Sequence, residues 1–529
     1  MMNKQTPSSL HLPRAGNRPG SPRLAVRRWG YAAAVLLMSG PPLASLFAGT
    51  DVASVPAGKN VTLQKADDNP LSFDDGMLTV DVQERLRVEV RNNTYDFNSA
   101  VDAITDDSFL LERFRLGLLV KPTSWLDIYG QTQDSREIGS KRPNIPGLNG
   151  AEGTDAFDVR QAYLKIGDLR AFPLTLTAGR QILSYGDERL VGSFDWNNIG
   201  RTFDAVKLSY DSAPVKIDGF VSSVVVPDRG SYDQSDLFNG TEKSHGIGFS
   251  GTSSPVTGVD IVQDQVFSGI YASSNYLSFQ TTEAYVFYLH ENNRLTVGKV
   301  TTQPDTDFAT LGTRVKSNAN GLPPQLKNFD YDLETAFQVG EVRDLDLLSY
   351  AFHGGVGYTF ADILFKPRIY AEYNYASGDS NPNDGKIGTF QNLFPTNHKF
   401  YGYLDAFSWQ NLHNPAVSLR FTPIEKKLFL EADYLAFLLA DTNDRAYRAN
   451  GVTAIRPLTP GARSADNYVG SEVDLKATYT PLRFLSFELG YSHFFAGSYL
   501  EQAPIAAVAN SRPASSDADF FYAMTTISF

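Results

Sequence analysis

The chain has 529 residues, a length that in a soluble protein predicts roughly three to four domains. Its composition points elsewhere: 42 Gly, 35 Phe and 26 Tyr, with 20% charged residues and only 5 Met, suit short strands and turns better than helices. The absence of cysteine excludes disulfide scaffolds, thiolate metal centres and cysteine nucleophiles together.

Residues 1–48 differ from the rest. Arg14, Arg18, Arg23, Arg27 and Arg28 precede the first acid, Asp51, and an apolar run from Tyr31 to Met38 leads to small residues around Ala44 and Ala48. That order predicts a secretory signal peptide cleaved near Ala48. A membrane anchor is the alternative, but the run of about eight residues falls far short of the ~20 a spanning helix needs. Cleavage removes six basic residues and no acid, leaving 41 Lys+Arg against 59 Asp+Glu, a net charge of −18. Residues 49–76 show no clean strand and read as a periplasmic lead-in; residues 77–529 contain no apolar run of helical spanning length.

From residue 78 the pattern has period two. Leu78, Val80, Val82, Leu86, Val88 and Val90 alternate with Thr79, Asp81, Gln83, Arg85, Arg87, Glu89 and Arg91. Phe114, Leu116, Leu118 and Val120 oppose Arg113, Arg115 and Gly117. Ile369, Ala371, Tyr373 and Tyr375 oppose Arg368, Tyr370, Glu372 and Asn374, and segments 472–479 and 485–492 repeat the pattern. Further segments bring the count to about eighteen: 125–136, 157–167, 172–182, 203–210, 215–226, 266–274, 283–290, 308–316, 329–340, 347–360, 364–376, 412–421, 428–439 and 519–529. Segments between 257 and 316 are the least distinct.

A soluble sandwich also alternates. Two features favour a membrane barrel. Tight turns at 121–124, 211–214, 361–362, 422–426 and 480–483 alternate with long polar loops near 92–107, 137–155, 183–202, 227–265, 378–410, 441–469 and 497–517, the habit of transmembrane barrels. The last strand ends on Phe529, an ending that looks like the signal read by the barrel-assembly machinery. The expected fold is therefore all-β, a transmembrane antiparallel β-barrel of about eighteen strands in the outer membrane, wide enough for an aqueous channel. Glu84 conflicts with this, because strict alternation puts it on the lipid face, where charge is costly; a bulge or a place near the rim would remove the conflict.

Inward Arg85, Arg87, Arg113 and Arg115 would meet on one patch of wall, with planar forks suited to carboxylate or phosphate. The alternative is ordinary polar lining neutralised by Asp81, Glu89 and Asp134. The segment 179–206 is densest in charge and glycine. Asp187 with Glu188, or Asp195 with Asp204, resembles an acid/base pair, but nothing fixes their separation. A loop folded into the lumen, with Arg180, Arg189 and Arg201 pairing to its acids, is the preferred reading. A second dense segment, 392–403, continues to Asp405, Trp409 and His413. Its Tyr401, Tyr403, Phe407 and Trp409 suit loop packing or a sugar-stacking surface. The histidines at 245, 290, 353, 398, 413 and 493 have no i, i+4 pair. Loop 377–385 starts like an EF-hand, with Asp379, Asn381 and Asn383, but Asp384 and Phe390 stand where glycine and glutamate belong. No enzyme activity, cofactor or metal is expected.

At the two dense segments the sequence resembles the alginate-export family of outer-membrane proteins. The matching residues are Gly179-Arg180-Gln181, Tyr185-Gly186-Asp187-Glu188-Arg189 with Asp195-Trp196, Gly200-Arg201-Thr202-Phe203-Asp204-Ala205-Val206, and Thr396-Asn397-His398 with Gly402 and Asp405. The resemblance implies a monomeric eighteen-stranded barrel whose electropositive constriction passes an anionic uronate polymer. Expected partners are an anionic polysaccharide or sugar acid, outer-membrane lipid, the barrel-assembly machinery and a periplasmic scaffold that no segment identifies; nucleic acid is not among them. A porin for small solutes is the alternative within transport.

Overall fold

The computed structural model describes residues 69–94, 97, 106–141, 153–227, 232–233, 235, 259–297, 300–301, 305–451, 454–455, 466–502 and 517–529, without side chains at 259–264 and 292–301. The signal peptide and most of the lead-in lie outside the described residues. Residues 69–76 of the lead-in hold a two-residue strand, Ser72–Phe73, and a 3₁₀ turn, Asp74–Gly76.

Eighteen strands form one antiparallel sheet closed on itself. They are β1 (Leu78–Asn92), β2 (Asp106–Thr123), β3 (Leu126–Ile138), β4 (Asp155–Ile166), β5 (Leu174–Gln181), β6 (Phe203–Ser212), β7 (Val215–Val224), β8 (Val259–Ser274) and β9 (Gln280–Val297). The ring continues with β10 (Thr306–Ser317), β11 (Phe329–Val342), β12 (Leu345–Thr359), β13 (Arg368–Ala376), β14 (Leu412–Ile424), β15 (Leu428–Leu439), β16 (Tyr468–Leu482), β17 (Leu485–Ala496) and β18 (Ala518–Ser528). Each pairs with its neighbours in sequence, and β18 returns to β1 from Gln83↔Ser528 to Asn92↔Asp519, so no edge strand is left. No described helix is long and apolar enough to cross a membrane.

All eighteen expected segments are present. The differences lie at their ends. β8 and β9 are longer than their alternation suggested, and the hairpin expected at 361–362 is a wider turn, because β13 starts only at Arg368. Short connections lie at one end and long loops at the other. One exception is Arg343-Asp344, a two-residue hairpin at the loop end whose φ angles of 51° and 65° give the twist that such turns require.

The outer wall is apolar, with Leu86, Val88 and Val90 on β1, Phe114, Leu116 and Leu118 on β2, and Phe487, Leu489 and Tyr491 on β17 all exposed. Of the two expected ways out for Glu84, the bulge does not apply. The register of β1 is unbroken on both sides, so there is no bulge, and Glu84 points outward between Phe114 and Ile527. It has outward polar neighbours in Glu112, Asp134 and Arg136, the last two joined at 2.6 Å.

Inward glycines hold the strands in step. The rings of Tyr129, Tyr285, Tyr370 and Tyr522 lie over Gly117, Gly312, Gly355 and Gly490 on neighbouring strands, in the space a Cβ would take. A side chain there must expel the ring, and overpacking of this kind costs about 1–3 kcal/mol. Gly490→Val is therefore expected to lower the temperature at which the folded barrel loses its fast migration in SDS gels. Adding Tyr522→Ala to that variant should restore part of the loss.

Candidate functional site

The loops 182–202 and 377–411 enter the lumen and join into one body. The Phe394 N–H donates to the Leu190 carbonyl at 2.8 Å, the Gly192 N–H to the Phe394 carbonyl at 2.8 Å, and the Thr396 N–H to the Glu188 carbonyl at 2.9 Å. Leu183, Leu190, Val191, Leu393 and Phe394 pack in one apolar cluster with wall residues Phe203, Phe220, Phe267 and Phe287, so this plug has a hydrophobic core continuous with the barrel's inner face. Tyr401, Phe407 and Trp409 are buried in it, which removes them as a sugar-stacking surface and leaves loop packing. Every strand carries, in its loop-side half, an inward side chain no more than 3% exposed. The short-turn half is wetter, with Lys316 48% exposed.

Residues 195–200 seat against β1 to β4 through guanidinium groups. Asn197 folds the turn by accepting the N–H groups of Ile199 and Gly200 on its side-chain oxygen, 2.9 and 3.0 Å away. Gly200 has φ +80°, and a Cβ there would meet the Arg160 guanidinium. The turn aims carbonyls at the wall. Arg85 donates to the carbonyls of Asp195, Trp196 and Asn197 at 2.7, 3.2 and 3.1 Å, and Arg113 to those of Asp195 and Asn197 at 3.0 and 3.2 Å. Arg87 donates to Trp196 O at 2.5 Å, pairs with Glu89 at 2.7 Å, and stands 3.8 Å over the Trp196 ring. The Asp195 carboxylate takes Arg115 at 2.7 Å, Arg113 at 3.2 Å and Arg160 at 3.5 Å. Burial opposes its ionisation, yet Arg113, Arg115, Arg160 and Arg85 outweigh burial and hold the carboxyl well below the usual range.

The four arginines singled out in the sequence thus stand together and inward. They grip a loop. Of the acids expected to neutralise them, only Glu89 does so: Asp81 accepts the Tyr129 hydroxyl at 3.1 Å, and Asp134 faces outward with Arg136.

Asp187 forms the opposite end of the plug, where Arg314 lies at 3.0 Å and Lys316 and Lys399 each at 3.4 Å. Burial opposes its ionisation too, but Lys399, Arg314 and Lys316 hold it well below the usual range. Glu188 accepts from Ser184 and Thr396 at 2.7 Å each. Only part of the expected pairing of loop acids with Arg180, Arg189 and Arg201 is seen. Arg180 pairs with Asp204 at 2.9 Å, whereas Arg189 reaches Glu334 on the wall at 3.8 Å, and Arg201 donates to the carbonyls of Gly192, Phe394 and Pro395. Arg368 is taken up by Asp330.

The second loop is held by the reverse polarity. Glu472 and Asp474 on β16 accept the N–H groups of Leu404 and Tyr403 at 3.0 and 3.3 Å, and Gly402, at φ +86°, leaves room for the Glu472 carboxylate. The two loops meet where Trp196 and His398 stack at 3.7 Å and 7°, with Asp405 bonded to His398 Nδ1 at 3.0 Å.

Among the described residues, Asp155, Asp158 and Asp233 bring carboxylate oxygens within 4.8 Å of one another. The Asp158 oxygens are already occupied by the N–H groups of Val159 and Asp233, and Arg160 lines the same cavity. Loop 377–385 is a run of Asx turns, in which Asn381 N–H donates to Asp379 and Asn383 N–H to Asn381, while Phe390 is buried in the plug.

Sequence reasoning passed over Arg160 and Arg314. Arg314 was accessible through the inward series Phe308, Thr310, Gly312; Arg160 sits beside a register shift between β3 and β4 that blurs alternation. Replacing Asp195 by Asn leaves its guanidinium partners facing one another and should destabilise the seated plug by about 3–5 kcal/mol, the scale for breaking a buried pair. A depressed carboxyl contributes stability above its unfolded pKa of about 3.9, lost only as pH falls through the lower folded value. Acidification to about pH 4.5 should leave loop 182–202 protected from protease in the wild type, whereas D195N should be cleaved at neutral pH.

The alginate export family model matches residues 77–241 and 256–513. No curated protein sequence matches the chain. Three Pseudomonas aeruginosa crystal structures share its fold. OccK9 (OpdG) aligns with a TM-score of 0.54 at 12% identity, over 85% of this chain and 98% of that one. OpdL gives 0.52 at 10%, and the outer membrane protein OpdK 0.50 at 12%, each with the same coverage. At such identities the likeness speaks for the fold alone, a closed barrel that crosses with strands. Family match and architecture together make the chain a member of the alginate-export family, an outer-membrane β-barrel channel and not an enzyme.

Proposed function

We propose that the channel passes an anionic polysaccharide, an alginate-like polyuronate, or its sugar-acid fragments, by passive diffusion. The carrying observation is the imbalance on β1 to β4: five inward guanidinium groups, of Arg85, Arg87, Arg113, Arg115 and Arg160, share the carboxylates of Asp195 and Glu89 among the described residues. Fixed positive charge in a low-dielectric wall attracts carboxylates along the lumen and raises their local concentration. The loop carbonyls satisfy hydrogen bonds there without cancelling that charge.

The plug is part of the same reading. A lumen buried all round on its loop side conducts a polymer only after residues 195–200 leave their seat. Small-solute uptake is the second reading, and the short-turn half favours it: Lys207 with Asp218 and Arg368 with Asp330 are balanced pairs that give little selectivity.

Reversal potentials in a planar bilayer under a salt gradient separate the two. Anion selectivity, with current blocked by polygalacturonate, is expected; cation selectivity without block would sink the polyuronate reading. Replacing Arg113 and Arg115 by Glu should reduce anion selectivity and, by unseating Asp195, increase mean conductance. An unchanged reversal potential in that variant would refute their part in selection.

A further inference from the structure

We infer that Lys316 and Lys399 form a carboxylate-binding subsite at the foot of the plug, open to the short-turn side while the plug remains seated. The inference rests on the anionic-substrate reading and adds to it where the first sugar carboxylate docks.

The geometry is already set by a carboxylate of the chain itself. Both ammonium groups lie 3.4 Å from the same oxygen, Oδ1 of Asp187, while its Oδ2 faces Arg314 at 3.0 Å. Lys399 also donates to the Asp187 carbonyl at 3.1 Å. Each ammonium carries three donors, so these contacts leave capacity on both lysines. Water reaches it, since Lys316 is 48% and Lys399 29% exposed. Arg314, by contrast, is buried and held by Glu283 at 2.7 Å, Asp332 at 2.5 Å and Asp187, so its donors are taken up and the accessible ones belong to the lysines. The two lysines come from different elements, Lys316 from the last turn-side residues of β10 and Lys399 from the inward loop, and Asp187 ties them together. A ligand carboxylate beside Asp187 would accept from the donors that Asp187 leaves on both lysines.

The arginine seat on β1 to β4 cannot do this in the seated state. Its donors face carbonyls of the plug, and Arg85, Arg87, Arg113 and Arg115 are all buried. Docking at the lysines therefore precedes release at the arginines.

Binding of hexagalacturonate to the full-length barrel in detergent, followed calorimetrically, tests the site. Lys316→Gln with Lys399→Gln should weaken binding roughly tenfold or more, and Lys316→Arg with Lys399→Arg should retain it, with folded migration in SDS gels unchanged in both. Equal affinity of wild type and the double Gln variant would overturn the subsite while leaving the anionic reading intact. Equal binding of a neutral glucose hexamer would overturn it as well, because charge would not be in use. Failure of wild type to bind hexagalacturonate, together with polygalacturonate failing to block current, would overturn both.

Discussion

Five guanidinium groups on β1, β2 and β4 stay inside one wall because a loop brings them oxygen atoms beyond those of Gln83, Glu89 and Gln133. Each buried Arg has five donors and no acceptor, so without partners the patch would need water or anions to persist. The turn at 195–200 supplies these groups with four carbonyls and one carboxylate, and in doing so fixes the position of loop 182–202 across the lumen. The arrangement of the second loop follows from the first through the Phe394 bridge and the Trp196 stack on His398.

The two seats use complementary chemistry. On β1 to β4 cationic side chains meet backbone carbonyls; on β16 anionic side chains meet backbone N–H groups. Neither depends on the identity of the loop side chains alone, since main-chain atoms take part at both seats. What the loops must provide is shape: Gly200 and Gly402, with positive φ, are the positions where a Cβ would collide with Arg160 or Glu472. The barrel thus selects its plug by backbone curvature, and any polyanion entering the lumen meets guanidinium groups already matched to carbonyl acceptors.

The barrel itself was legible because lipid and lumen impose opposite demands at every second residue, as at 78–91, where Val82, Leu86 and Val88 alternate with Gln83, Arg85 and Arg87. The inward placement of Arg85, Arg87, Arg113 and Arg115 followed from the same rule. Their partners did not, since the acceptors are carbonyls that any sequence possesses. Asp134 and Asp81 were natural candidates as counter-charges, yet one lies on the outer face and the other serves a tyrosine. Tyr401 and Trp409 looked available for sugar because burial inside a barrel leaves no periodic trace in a loop. Alternation places Glu84 outward, and it does face outward without a bulge, with Glu112, Asp134 and Arg136 beside it.

Alternation alone leaves one error unpunished. A strand that slips by one residue turns its apolar face inward and is rejected, but a slip by two restores inside and outside and offends no hydrophobic pattern. The tyrosine rings lying over Gly117, Gly312, Gly355 and Gly490 close that gap, because a two-residue slip drives the rings into neighbours that have side chains; only at Gly355 does one direction of slip meet another glycine, Gly357. They act as keys cut to a single lock position. With one such key joining β2 to β3, β9 to β10, β12 to β13 and β17 to β18, proofreading of register is spread around the ring, and the last key engages only when the final strand arrives to close it.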